Sequence, residues 1–86
     1  MKAKSISVVN AQYISNYKVK LFFNDSTVRI IDFGVFFQKK NHPQFNKYKT
    51  ISNFKTFKID QGNIVWGKDW DLIFPVYDLY KGKIIN

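Results

Sequence analysis

The chain has no cysteine and no glutamate, and it has a single histidine and a single arginine among its 86 residues. Without thiols there is no disulfide to staple a small core, no cysteine-based zinc finger and no thiol nucleophile. His42 is flanked by Lys39, Lys40 and Asn41, so no carboxylate lies near it in sequence to orient it as a general base. No serine sits in a nucleophile elbow, no glycine-rich loop is spaced to cradle phosphate, and no residues cluster at metal-ligand spacing. The expectation is therefore a chain that is not an enzyme, with no catalytic group, metal or cofactor. Long apolar runs are missing too. The longest, such as "FGVFF" at 33 to 37, fall far short of the roughly 20 residues a spanning helix needs. The opening "MKAKSISVVNAQ" continues with polar residues where a signal peptide would have its apolar stretch. We expect no membrane association and a cytoplasmic, reducing setting.

What is present is apolar and basic. Hydrophobic residues make up 45% and aromatics 19% of the chain, too much for a disordered segment. We expect one domain over residues 1–86 that folds by burying roughly 60 to 65% of its unfolded surface. Fourteen basic residues against six acidic ones give a net charge of +8, which attracts polyanions through counterion release. No acid occurs between Asp32 and Asp60, whereas Lys39, Lys40, Lys47, Lys49, Lys55 and Lys58 all fall there. The richness in Lys, Asn, Ile and Phe also fits an AT-rich coding sequence, which raises lysine whatever the ligand.

Patterning then places the elements. "SISVVNAQ" at 5 to 12 reads as a strand from its β-branched residues, with an unpaired edge that is a candidate for homodimer pairing. "YKVKLFF" at 17 to 23 alternates, with Tyr17, Val19, Leu21 and Phe23 on one face and Lys18 and Lys20 on the other. "NDS" turns, and "TVRIID" at 27 to 32 returns to complete a hairpin. Residues 33 to 50 lose the alternation and read as a loop and a short helix, with Pro43 in the first turn and Phe45 and Tyr48 on one face. Ser52 is a candidate cap for a further turn that leads to Phe54. "TFKID", "QGN" and "IVW" make a second hairpin, which Gly67 ends. Pro75 opens a closing helical turn with Val76, Leu79 and Tyr80 at helical spacing and Asp78 as a candidate cap. The tail "KGKIIN" reads as frayed.

Two constellations deserve weighing as sites. In "NIVWGKDWDLIFPVYDLY", residues 63 to 80, Trp66 and Trp70 with Asp69, Asp71 and Tyr80 are candidates for a small-ligand pocket or stacking platform. The competing reading makes the indoles core plugs, as large aromatics in so small a domain tend to be. Asp69 and Asp71, two apart on a strand, would share a face at a spacing a divalent ion can use. Against that, aspartates in such stretches commonly bond backbone N–H groups in turns and caps. In the basic middle, Phe36, Phe37, Phe45 and Tyr48 interleave with the lysines, as a single-stranded nucleic-acid surface requires. The alternative there is a solvated lysine face over a hydrophobic core.

The order of these pieces resembles a bacterial family, the domain of unknown function 2442, over about residues 5 to 80. The resemblance rests on Phe23, Asn24, Asp25, Arg29 and Asp32 in the first hairpin. It rests further on Ile64, Val65, Trp66, Asp69, Asp71, Leu72, Leu79 and Tyr80 in the second half. Ser26 stands where that family usually has glycine, and the spacing from Asp71–Leu72 to Leu79–Tyr80 is about two residues longer than usual. The resemblance implies a small α+β domain, commonly encoded beside a second small protein in an arrangement similar to toxin and antitoxin pairs. It carries no activity.

The expected fold is thus α+β: a small single domain of antiparallel β-hairpins with a short central helix and a C-terminal helical turn. The expected function is a binding or accessory module for a small protein partner. The alternative is a nucleic-acid-binding domain using the six central lysines, and a pocket around Trp66 and Trp70 ranks third.

Overall fold

The computed structural model describes residues 5–39 and 43–82. Lys40, His42 and the last four residues of the tail lie outside the described residues. The architecture is α+β, with two three-stranded antiparallel sheets and a few short helices. Strands β1 (Val8–Ser15), β2 (Lys18–Phe23) and β3 (Val28–Asp32) form the first sheet in that order. Helices α1 (Gly34–Lys39), α2 (Pro43–Asn46) and α3 (Ile51–Phe54), with a 3₁₀ turn at Lys47–Lys49, make up the middle. The second sheet is β4 (Lys58–Asp60), β5 (Asn63–Trp66) and β6 (Leu72–Ile73), and α4 (Val76–Lys81) closes the described chain. Among the described residues no helix is long and apolar enough to cross a membrane.

Turn chemistry sets the registers. Asn16 and Tyr17 join β1 to β2 with φ of 51° and 68°, and Gln61 and Gly62 join β4 to β5 with 52° and 82°. Two consecutive positive φ values mark the two-residue turn whose twist matches a right-handed hairpin. The β2–β3 loop is different. Ser26 N–H donates to Phe23 C=O (3.0 Å), Phe23 N–H donates to Thr27 C=O (2.9 Å), and Ser26 takes φ 73°. That is a three-residue loop closed by a left-handed residue. Ser26 therefore occupies a position that suits glycine.

Several sequence expectations are corrected here. The first strand runs from 8 to 15 rather than 5 to 12, because Asn24 holds the preceding segment. Its side chain accepts from Ser7 N–H (3.1 Å) and donates to Ser5 C=O (2.7 Å), while its own N–H donates to Ser7 C=O (3.0 Å). The outer edge of β1 does not start open, since Val8 N–H donates to Gly62 C=O at 2.8 Å and docks the second hairpin there. The middle is more helical than one short helix. Helix α1 begins at Gly34, where lost alternation reflects a change of period from two to 3.6 rather than a loop. Strand β6 escaped notice because it has only two residues. Neither proposed cap forms: Thr50 and Pro75 hold the N-cap positions of α3 and α4 without side-chain cap bonds. At the other end Lys81 belongs to α4, and Gly82 ends that helix at φ 78°.

One core joins both sheets. Val19, Leu21 and Phe23 from β2 and Ile31 from β3 are buried, as the alternation in β2 requires, and meet Ile64, Trp66, Leu72, Phe74 and Leu79. Its centre is aromatic. Phe33, at the end of β3, packs on Trp66 (centroids 5.3 Å), Phe74 (5.0 Å) and Phe54 (5.9 Å) in tilted or edge-on geometry. Such pairs contribute about 0.5–1.5 kcal/mol beyond the area they bury.

Candidate functional site

The structure disperses the pocket residues expected from the sequence. Trp66 is 0% exposed, with its indole N–H donated to Phe54 C=O at 2.7 Å. It is core and presents no face to a ligand. Trp70 is half-buried at φ 56°, and its indole N–H donates to Asp60 Oδ2 at 2.9 Å. Asp69 is exposed in the turn after β5, and Asp71 follows in a bend. The pair is therefore not on a strand, and strand alternation does not align it. Asp71 instead accepts from Tyr48 Oη (3.4 Å) and stands 3.6 Å from Lys47 Nζ. Gly67 makes that packing possible. Its φ is +91°, and a Cβ there would lie 2.6 Å from Asp71 Oδ2 and 2.7 Å from Tyr48 Oη. Among the described residues no group of three or more His, Cys, Asp or Glu side chains could hold a metal ion.

Tyr80 belongs to a different neighbourhood. Its hydroxyl donates to Asp25 Oδ2 (2.6 Å), its ring meets Phe23 edge-on (5.2 Å), and its carbonyl accepts from Arg29 Nε (2.8 Å). These contacts latch α4 to the β2–β3 loop. The hydroxyl of Tyr80 first, and the N–H of Thr27 second, hold the Asp25 carboxyl below its ordinary value, because both donate to its charged form.

The basic middle keeps its charge but loses its stacking surface. Lys39, Lys47, Lys55 and Lys58 are exposed and Lys49 is half-buried. Lys47 pairs with Asp71, and its Nζ lies 5.1 Å from the Tyr48 ring; Lys55 Nζ lies 5.2 Å from the Tyr13 ring. The Lys47 pKa is raised, chiefly by its hydrogen bond with Tyr48 and further by the Asp71 carboxylate. Phe36, Phe37 and Tyr48 are buried and Phe45 is half-buried. Rings committed to the core offer no faces to bases.

A surface that site reasoning passed over lies on the outside of the first sheet. The register sets Phe22 opposite Val28, Lys20 opposite Ile30 and Lys18 opposite Asp32. These six side chains share the face turned away from Val19, Leu21 and Ile31. Val28 is 42% and Ile30 60% exposed, side by side along β3, while Lys20 Nζ sits 5.5 Å from the Phe22 ring. The signal was present in "TVRIID". With apolar residues at 28, 30 and 31, every register leaves one of them facing outward.

No family model matches the chain, and neither does any curated protein or solved structure.

Proposed function

We propose that the chain is a non-enzymatic interaction module that docks a small protein partner on the outer face of the β1–β2–β3 sheet. The observation that carries this reading is the row of Val28 and Ile30 beside Phe22, apolar and exposed where a solvated sheet face would be polar. Apolar side chains flanked by lysines suit a protein interface, with an apolar centre and a charged rim. The resemblance to domain of unknown function 2442 supports the same reading, through the neighbouring small protein that such domains commonly have. The cytoplasm is the setting we take for it. The nucleic-acid alternative keeps the lysines, but Phe36, Phe37 and Tyr48 beside them are buried, which favours the protein reading.

The test is a pull-down of the tagged chain from its own host, with and without nuclease. One arm uses Ile30→Glu, and another replaces Lys39, Lys55 and Lys58 with glutamine. We expect a small protein to be retained through nuclease treatment, lost with Ile30→Glu and kept by the lysine variant. Retention that depends on nucleic acid and on the lysines would reverse the assignment.

A further inference from the structure

Strand β3 is one of the two outer strands of its sheet, and the hydrogen-bond register shows which of its backbone groups face outward. Phe23 N–H donates to Thr27 C=O, and Phe33 N–H donates to Tyr17 C=O. In an antiparallel ladder the bonded pairs recur every second residue, so the bonded pairs between those two are Leu21 with Arg29 and Val19 with Ile31. The N–H and C=O groups of Val28, Ile30 and Asp32 consequently point away from β2. Val28 and Ile30 are the residues whose side chains are exposed on the outer face. Among the described residues an unpaired ladder and an apolar row coincide on one strand, which is what a natural sheet edge usually avoids.

Charge decides the occupant. Among the described residues neither Lys18 nor Lys20 makes an ion pair, and the Asp32 carboxylate opposite Lys18 accepts from Gly34 N–H at 2.9 Å. On the inner side of the same strand Arg29 is exposed, bonded through Nε to the Tyr80 carbonyl, with guanidinium donors to spare. A second copy would bring another +8 against this edge, so like charge opposes self-pairing there. Resting on the protein-interaction reading above, we propose that β3 pairs with an extended acidic segment of the partner, which adds as a fourth strand. Apolar residues of the segment cover Val28 and Ile30 on the outer side. Its carboxylates meet Arg29 on the other side, and Lys18 and Lys20 bias the whole edge toward a negative chain.

The experiment uses the full chain, labelled with ¹⁵N, and an end-capped peptide of alternating valine and glutamate; a peptide of alternating valine and lysine serves as control. Amide hydrogen exchange is read residue by residue. Saturating acidic peptide is expected to slow exchange at Val28, Ile30 and Asp32 at least about tenfold, with shifts confined to β2 and β3, and the basic peptide to do nothing. Equal protection by both peptides, shifts elsewhere, no protection, or amides already protected in the free protein would each overturn the proposal. The last result would mean that the chain itself or a second copy fills the edge. The two readings fail separately. If Ile30→Glu abolishes partner capture while the edge amides stay unprotected, the docking face stands and strand addition falls. If the amides are protected while capture ignores Ile30→Glu, the partner uses another surface.

Discussion

Trp66 is the largest fully buried side chain among the described residues. Its ring touches Phe33, Phe54, Phe57 and Phe74, and its N–H satisfies the Phe54 carbonyl. Truncation to alanine is expected to cost roughly 3–5 kcal/mol, against a total of about 4–13 kcal/mol for a chain of this length. Urea denaturation of Trp66→Ala should show a largely unfolded population; a midpoint near wild type would mean that the ring cluster is dispensable. Two backbone positions give opposite signs. Gly67→Ala should destabilise by roughly 1–3 kcal/mol, from the positive φ and the collision with Asp71 and Tyr48. Removing Asp71 in the same chain should recover part of the loss, a non-additivity that a double-mutant cycle measures. Ser26→Gly should stabilise by up to about 1 kcal/mol, since φ 73° costs a serine what it does not cost a glycine.

At the scale of elements, two side chains tie the first hairpin to the rest. Tyr17 takes a left-handed backbone unusual for a bulky residue (φ 68°). It packs on Phe37 (5.7 Å) and Phe54 (5.2 Å) and donates its hydroxyl to the Lys49 carbonyl. The local strain is thus offset by contacts with the helical middle. The second tie is the Tyr80–Asp25 latch. A carboxyl whose folded pKa is depressed contributes stability that is fully present above the unfolded value and fades as pH falls through the folded one. The urea midpoints of wild type and Asp25→Asn should therefore differ by a constant amount at neutral pH. The gap should narrow as pH drops below the ordinary value of 3.8. A gap that stays constant down to the acid transition would mean that the latch does not involve the ionised carboxylate.

For the molecule as a whole, the question is which surface carries recognition. With Phe36, Phe37 and Tyr48 in the core, any binding of single-stranded oligonucleotide should be electrostatic alone. Its affinity should fall with salt at a slope of about 0.7 per phosphate neutralised, without quenching of Trp66. Quenching that survives high salt would point to stacking and contradict this assignment. The first hairpin was legible from "YKVKLFF" because its period of two is strict, and the second from "QGN" because a glycine between two apolar runs admits few turns. The start of β1 was not legible, because an asparagine 17 residues further along decides where the ladder begins. Nor was α1, whose aromatic residues suit either period.

Sequence by itself determined the class of fold, the inward face of β2, and the lack of thiol and glutamate chemistry, since alternation and composition are local properties. Only tertiary structure separated Trp66 from Trp70, took Tyr80 away from both, and left Val28 and Ile30 outside. Which apolar side chains remain exposed depends on which surfaces the rest of the chain covers. This small core was filled from the β5 side and the helices, and Val28 and Ile30 of β3 were left exposed.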